Sequence, residues 1–186
     1  VDKTTNFLIK RPSELVGIVL LGFSILLFVS LVSYSPEDPN FIFPENAEIK
    51  NLLGIKGSYV SDILYQSIGL VSLLVPVSFI FISLSIIIEK KILHIIESLF
   101  FIILYSIAGA LFFTVFHTET FWLTINGNNG FLGNLFEETF LINLVNENRQ
   151  ISYITLIVLI SLFFLLSINF KINHIKFIIK VFRKPK

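Results

Sequence analysis

The chain has 186 residues, of which 54% are hydrophobic and only 15% charged, with a formal net charge of +1 and no cysteine. A soluble domain of this length needs many more charged residues to cover its surface, which excludes that class. The lack of cysteine excludes a disulfide framework and a thiolate metal site.

The composition is organised as four long apolar runs, at about 15–33, 68–88, 92–116 and 151–168. A helix needs ~20 mostly apolar residues to cross a ~30 Å hydrocarbon core. The predicted fold is therefore an all-α integral membrane protein with four transmembrane helices. Pro12-Ser13-Glu14 precedes the first run, with Ser13 as its expected N-cap. That run is longer than a signal-peptide core, and Pro36 makes the bond after Ser33-Tyr34-Ser35 a poor cleavage site, so it is read as a retained span. It stops at Ser33-Tyr34-Ser35-Pro36, and Pro36 and Pro39 bracket Glu37-Asp38 in a turn.

Residues 44–57 read as loop. Gly57-Ser58 offers a start for a helix feeding the second span, in which Val60, Ile63 and Leu64 recur at helical spacing beside Asp62 and Gln66. Gly69 and Pro76 lie along the second run, and Pro76 is the expected kink because it lacks a backbone donor. Glu89-Lys90-Lys91 is a very short turn, so the second and third spans form an antiparallel hairpin.

Between the third and fourth spans, Asn126-Gly127-Asn128-Asn129-Gly130 is a turn cluster. Phe131, Leu132, Leu135 and Phe136 follow, then Phe140, Leu141 and Ile142, with Glu137 and Glu138 interrupting. An interfacial or re-entrant helix is expected there. Trp122 and Phe121 suit an aromatic belt at the outer boundary. After the fourth span, residues 171–186 form a basic amphipathic tail suited to anionic lipid or to the start of a linker.

Charge sets the orientation. Lys3, Lys10, Arg11, Lys90, Lys91 and the six bases of residues 171–186 fall on one side, while 34–62 and 117–150 are acidic. Both termini are therefore expected in the cytoplasm, with two acidic loops outside. Small residues (Gly17, Gly22, Ser72, Ser83, Ala108, Gly109, Ala110) are expected where helices approach closely.

Candidate chemistry is sparse. His94 and Glu97 share a helix face, but counting ~20 residues back from Phe116 leaves Glu97 at the inner boundary and His94 outside it. His117 and Glu119 have no third ligand at useful spacing and read as solvated boundary residues, His174 stands alone in the basic tail, and Glu37 and Asp38 have no base beside them. No charged residue falls inside the first, second or fourth apolar run, whereas an ion-coupled transporter usually carries one. No P-loop, nucleophile elbow or H-E-x-x-H occurs. No catalytic, metal-binding or cofactor-binding residue is assigned.

Several segments resemble the N-terminal four-span membrane domain of the FtsK/SpoIIIE DNA translocases. Ser33-Tyr34-Ser35-Pro36-Glu37-Asp38-Pro39 is similar to that family's SYSPxDP stretch. Asn51, Gly54 and Gly57 match its NxxGxxG element, followed by Asp62, Gly69 and Pro76, and Gly127, Gly130 and Gly133 resemble its glycine-rich outer segment. Asn40, Phe41, Ser58 and Ile68 depart from the pattern. The resemblance implies a membrane anchor for a hexameric motor at the division septum of the bacterial inner membrane. It would contact membrane lipid and other division-site membrane proteins. ATP and magnesium would serve only the motor, through which alone DNA would be engaged; the chain stops where a linker to that motor would begin. The alternative is a small multi-pass transporter or channel subunit, and a third possibility is a purely structural division-site scaffold.

Overall fold

The computed structural model describes residues 3–40, 48–90, 92–117, 123 and 125–169, with side chains from Arg11 onward. Every regular element among them is helical: α1 (Lys3–Val32), α2 (Gly54–Ile68), a 3-10 segment (Gly69–Leu73), α3 (Leu74–Glu89), α4 (His94–Phe116), α5 (Gly130–Asn134), α6 (Phe140–Glu147) and α7 (Arg149–Ser167). Four stretches are long and apolar enough to cross a membrane: Arg11–Val32, Gly54–Glu89, His94–Phe116 and Arg149–Ser167. The expected basic tail, Phe121, Trp122, Glu119 and His174 lie outside the described residues.

Helix α1 passes through Pro12, so Ser13 is a buried residue inside the helix and not its N-cap. Proline fixes φ near the helical value, and losing one backbone donor does not end a helix whose turns on both sides are formed. The buried face of α1 runs Ser13, Gly17, Ser24, Leu27 and Leu31, with Leu20 packed beside it. This alternating three- and four-residue spacing is that of two helices sharing a long seam. The partner is α3. A β-carbon on Gly17 would lie 2.6 Å from Ile87 Cγ1 and 3.2 Å from the Ser83 carbonyl oxygen, and Phe23 meets Phe79 edge-on at 6.5 Å. Gly22 points away from this seam, and a β-carbon there would meet nothing within 4 Å. It is thus not a close-approach position within the chain.

The second crossing is broken, but not at Pro76. A straight helix from Gly54 to Glu89 would have 36 residues and a length of ~54 Å, nearly twice the hydrocarbon thickness. The break falls at Gly69, where φ is +67° and ψ −150°, a conformation essentially reserved for glycine. Leu73 caps α3, so Pro76 is the third residue of that helix, where a backbone donor has no partner inside the helix anyway. The proline fits a helix start and bends nothing.

Lys90, in the left-handed region with φ +59°, ends α3 by donating its N–H to the Ile86 carbonyl. The turn to α4 is short, but the hairpin partners are not the main packing partners. α3 lies chiefly on α1, and α4 chiefly on α7. The two pairs meet through hydroxyls. Ser78 Oγ lies 2.8 Å from Ser167 Oγ and 3.2 Å from the Tyr105 hydroxyl, all buried. Ser78 is 11 residues, or ~16 Å, from Glu89. Since Ser167 is the last residue of α7, that helix ends inside the bundle and not level with the α3–α4 turn.

The segment between α4 and α7 holds two short helices in place of a single one. α5 packs against α2, α4 and the 3-10 segment. Glu137 and Glu138 are exposed in the turn after it, and α6 buries Val145 while exposing Phe140 and Leu144. Five and eight residues are too short to cross a bilayer.

Candidate functional site

The end of the bundle that charge assigns to the outside carries a polar lock built from most of the motif positions. It starts where α1 ends. Ser33 Oγ donates to the Val29 carbonyl at 2.7 Å and accepts the Leu52 N–H at 3.1 Å, tying the following loop back to the helix. Ser35 shapes the turn: its carbonyl accepts the Asp38 N–H at 3.1 Å and its hydroxyl accepts the Glu37 N–H at 3.4 Å. Pro36 is exposed and Pro39 buried.

Asp38 is buried, and each of its carboxylate oxygens accepts one backbone N–H, from Lys50 and from Asn51, both at 2.8 Å. A carboxylate bridging two successive amides fixes a loop without any cation. Glu37, its neighbour, is exposed and forms an ion pair with Lys50. Hydrogen bonding to Lys50 holds the Glu37 carboxyl below the usual carboxylate range, and the same bond pushes the Lys50 ammonium up.

Asn51 is the hub. Its Nδ2 donates to the Ser30 carbonyl at 2.9 Å, and its Oδ1 accepts the Leu53 N–H at 3.0 Å. Its carbonyl accepts the Gly54 N–H at 2.9 Å, with Gly54 at φ +67° to start α2. Gly57 leaves the room: a β-carbon there would sit 2.1 Å from Asn51 Oδ1. The Gly57 carbonyl accepts Ser30 Oγ at 2.7 Å, and Ser58 Oγ donates to the Pro39 carbonyl at 2.7 Å. Further along α2, Asp62 Oδ1 accepts the Tyr34 hydroxyl at 3.2 Å and Gln66 Nε2 at 3.3 Å. Tyr65 donates to the Leu31 carbonyl at 3.0 Å, and the Tyr34 and Tyr65 rings lie 4.9 Å apart. Burial, and then the Asp62 charge, push the Tyr34 phenol above its ordinary value.

The glycine-rich segment closes the other half. Asn126 Nδ2 donates to the Gln66 carbonyl at 3.2 Å, and the Leu70 N–H donates to the Asn128 carbonyl at 3.0 Å. Gly127 and Gly130 have φ +70° and +65°. A β-carbon on Gly130 would lie 2.4 Å from the Gly69 nitrogen, and one on Gly133 2.6 Å from Thr114 Oγ1. Asn129 Nδ2 reaches both Thr114 Oγ1 at 3.2 Å and Asn134 Oδ1 at 2.8 Å.

Ser33, Tyr34, Ser35, Asp38, Pro39, Asn51, Gly54, Gly57, Asp62, Gly69, Gly127, Gly130 and Gly133 thus belong to one continuous structure, while Pro76 sits apart in α3. Ser30, Ser58, Tyr65, Thr114 and Asn129 share the lock and were not singled out for it by the sequence. Ser58 and Tyr65 lie two turns apart on one face of α2, a signal the sequence carries, whereas Ser30 on α1, Thr114 on α4 and Asn129 before α5 share no element and no spacing links them.

At the opposite end, Glu14 of α1 pairs with Lys90. His94 Nδ1 lies 3.1 Å from Glu97 Oε2, and its Nε2 lies 3.8 Å from Glu89 Oε2. No group of three or more metal-capable side chains occurs among the described residues. The arrangement joins elements, and none of its groups is set up as a nucleophile with its base.

Fold and lock together define a polytopic membrane domain of four crossings, braced on one face by its own loops. The family follows from sequence comparison: residues 10–181 match the 4TM region of DNA translocase FtsK/SpoIIIE, and the chain belongs to that family. Among similar relatives, the DNA translocase FtsK of Rickettsia bellii is 46% identical over 61 residues, covering 32% of this chain and 8% of the relative. That of Rickettsia prowazekii is 33% identical over 70 residues, or 38% and 9% of the two chains. The DNA translocase FtsK of Azospirillum brasilense is 37% identical over 68 residues, or 36% and 11%. The matched stretch is therefore about a tenth of each relative's length. No solved structure matches.

Proposed function

We propose that this domain is the membrane anchor of an FtsK-type DNA translocase in the bacterial inner membrane, targeted to the division septum and acting in cell division and chromosome segregation. The observation that carries the reading is the family match over residues 10–181 together with the four-span fold. An even number of crossings places the two ends of the chain on one side of the membrane, and the charge distribution favours the cytoplasm for that side. A motor attached there would face the chromosome.

In this reading the domain assembles with copies of itself, as a hexamer by the resemblance. Its two outer regions meet other division-site membrane proteins, and its spans meet lipid. It uses no cofactor of its own; ATP and magnesium serve the motor, through which alone DNA is engaged. Fluorescent fusions of residues 1–186 in a dividing bacterium test it. A mid-cell band is the expected result, and uniform membrane fluorescence in constricting cells would overturn septal targeting.

A further inference from the structure

The outer end of α7 and the turn between α5 and α6 hold two opposite charges, Arg149 and Glu137, that share a cleft without pairing. Arg149 opens α7, donates from Nη2 to the Val115 carbonyl at 3.0 Å, and places its guanidinium carbon 5.4 Å from the Phe116 ring centre. On one side of it lies a cleft of about 290 Å³, lined by Thr114, Val115, Glu137, Ile142 and Asn146. Arg149 and Glu137 both line this cleft, yet no ion pair joins them among the described residues. On the other side lies a cleft of about 550 Å³, lined by Phe116, Gln150, Tyr153 and Ile154. Tyr153 stands edge-on to Phe116 at 5.1 Å. Below this second cleft Ile154, Val158 and Leu162, one turn apart, are all exposed on α7.

Position along the helix selects the ligand class. Arg149 directly precedes the apolar part of α7, so it stands at headgroup depth, and the exposed stripe beneath it lies in hydrocarbon. A guanidinium offers planar donors that fit a phosphate, and its side contacts with Phe116 and Val115 pre-set its direction. An anionic headgroup would satisfy Arg149 but bring negative charge towards Glu137. A headgroup negative at its phosphate and positive at its amine satisfies both residues. Glu138 and Glu147 are exposed and line neither cleft.

We propose that this end of the bundle binds an outer-leaflet aminophospholipid, with its phosphodiester on Arg149, its ammonium facing Glu137, and an acyl chain passing Tyr153 and Ile154. The site owes nothing to the anchor reading and would stand in a bundle of any function.

The chain is reconstituted in nanodiscs of equal parts phosphatidylethanolamine and phosphatidylglycerol, and the lipids retained on gentle release are identified by native mass spectrometry. Wild type is expected to retain phosphatidylethanolamine in several-fold excess. Glu137→Gln is expected to shift retention towards phosphatidylglycerol, because the acidic partner of the amine is gone and the phosphate partner remains. Arg149→Gln is expected to lose both lipids, and Arg149→Lys to regain part of the retention. Far-UV circular dichroism checks that each variant is folded. If Arg149→Gln does not fold, the exposed Glu137→Gln change still decides. An unchanged lipid ratio in Glu137→Gln, or no ethanolamine preference in wild type, overturns the proposal and leaves Arg149 and Glu137 as solvated surface charges.

Discussion

Gly69 lies so close to Asn128 that a β-carbon on it would fall 2.0 Å from the Asn128 carbonyl oxygen. The residue after Gly69, Leu70, gives its N–H to that same oxygen. The broken second crossing and the glycine-rich outer segment are thus one joint, made by two backbones in contact. Gly69→Ala has to accommodate both the left-handed φ of +67° and this clash. It is expected to destabilise by about 3 kcal/mol. Gly22→Ala is the control, since open space surrounds it. Its higher helix propensity should leave stability unchanged or raise it by up to about 1 kcal/mol. Thermal melts of both variants in one detergent separate the two; equal melting temperatures would mean that the joint is not tight in the folded protein.

Asp38 holds the amides of Lys50 and Asn51 with one oxygen each. Asp38→Ala strands both donors at a cost of about 3 kcal/mol, and Asp38→Asn, which keeps one acceptor, should cost less. Hydrogen exchange read by mass spectrometry should show lost protection across residues 50–57 in the alanine variant. Unchanged exchange there would remove Asp38 from the lock.

The Tyr34 phenol is raised by burial and by Asp62. A group whose folded value is raised contributes stability that is complete below its unfolded value, about 10 for tyrosine, and that declines as pH rises through the folded value. The melting temperature of wild type should therefore fall more steeply above about pH 10 than that of Tyr34→Phe. Other alkaline titrations are common to both proteins, so the difference between the two curves isolates Tyr34. Parallel curves would contradict the assignment.

The Glu37–Lys50 pair is exposed, and exposed pairs contribute little to stability. Lys50→Gln should leave the neutral-pH melting temperature unchanged while moving the Glu37 titration back up towards the ordinary carboxylate range. In wild type the Glu37 value is depressed and the Lys50 value raised. What the pair contributes is therefore present at neutral pH. It is lost as pH falls through the Glu37 value and again as pH rises through the Lys50 value. Carboxyl chemical shifts followed by NMR on selectively labelled protein check this, and a Glu37 curve indifferent to Lys50 would refute the pairing.

Much of the outer lock was legible as positions and none of it as contacts. Asn51 and Gly57 stand out as a spaced pair, but only the fold shows that Gly57 is glycine because Asn51 Oδ1 occupies its β-carbon space. Gly17 and Gly22 look alike in sequence, both small residues in one apolar run. The first lets α3 approach and the second faces outward. Pro76 looks like the break, yet Gly69 is the break. A proline near a helix start costs nothing, and the sequence does not say where the helix starts.

The amino-acid sequence by itself determined the class and the number of crossings. Hydrocarbon offers no hydrogen bonds, so a continuous apolar stretch of sufficient length must become a helix that satisfies its own backbone. Charge at the ends of those stretches supplies an expected orientation on the same footing. Only the tertiary structure decided which helix lies on which. In water a buried face is apolar and an exposed face polar, but in lipid both are apolar, and the pattern that reveals partners in soluble proteins is erased. The pairing of α1 with α3 and of α4 with α7 is carried by shape, as where Gly17 lets α3 approach, and the two pairs are joined by a few hydroxyls, such as Ser78 between Tyr105 and Ser167, which become informative only once their neighbours are known.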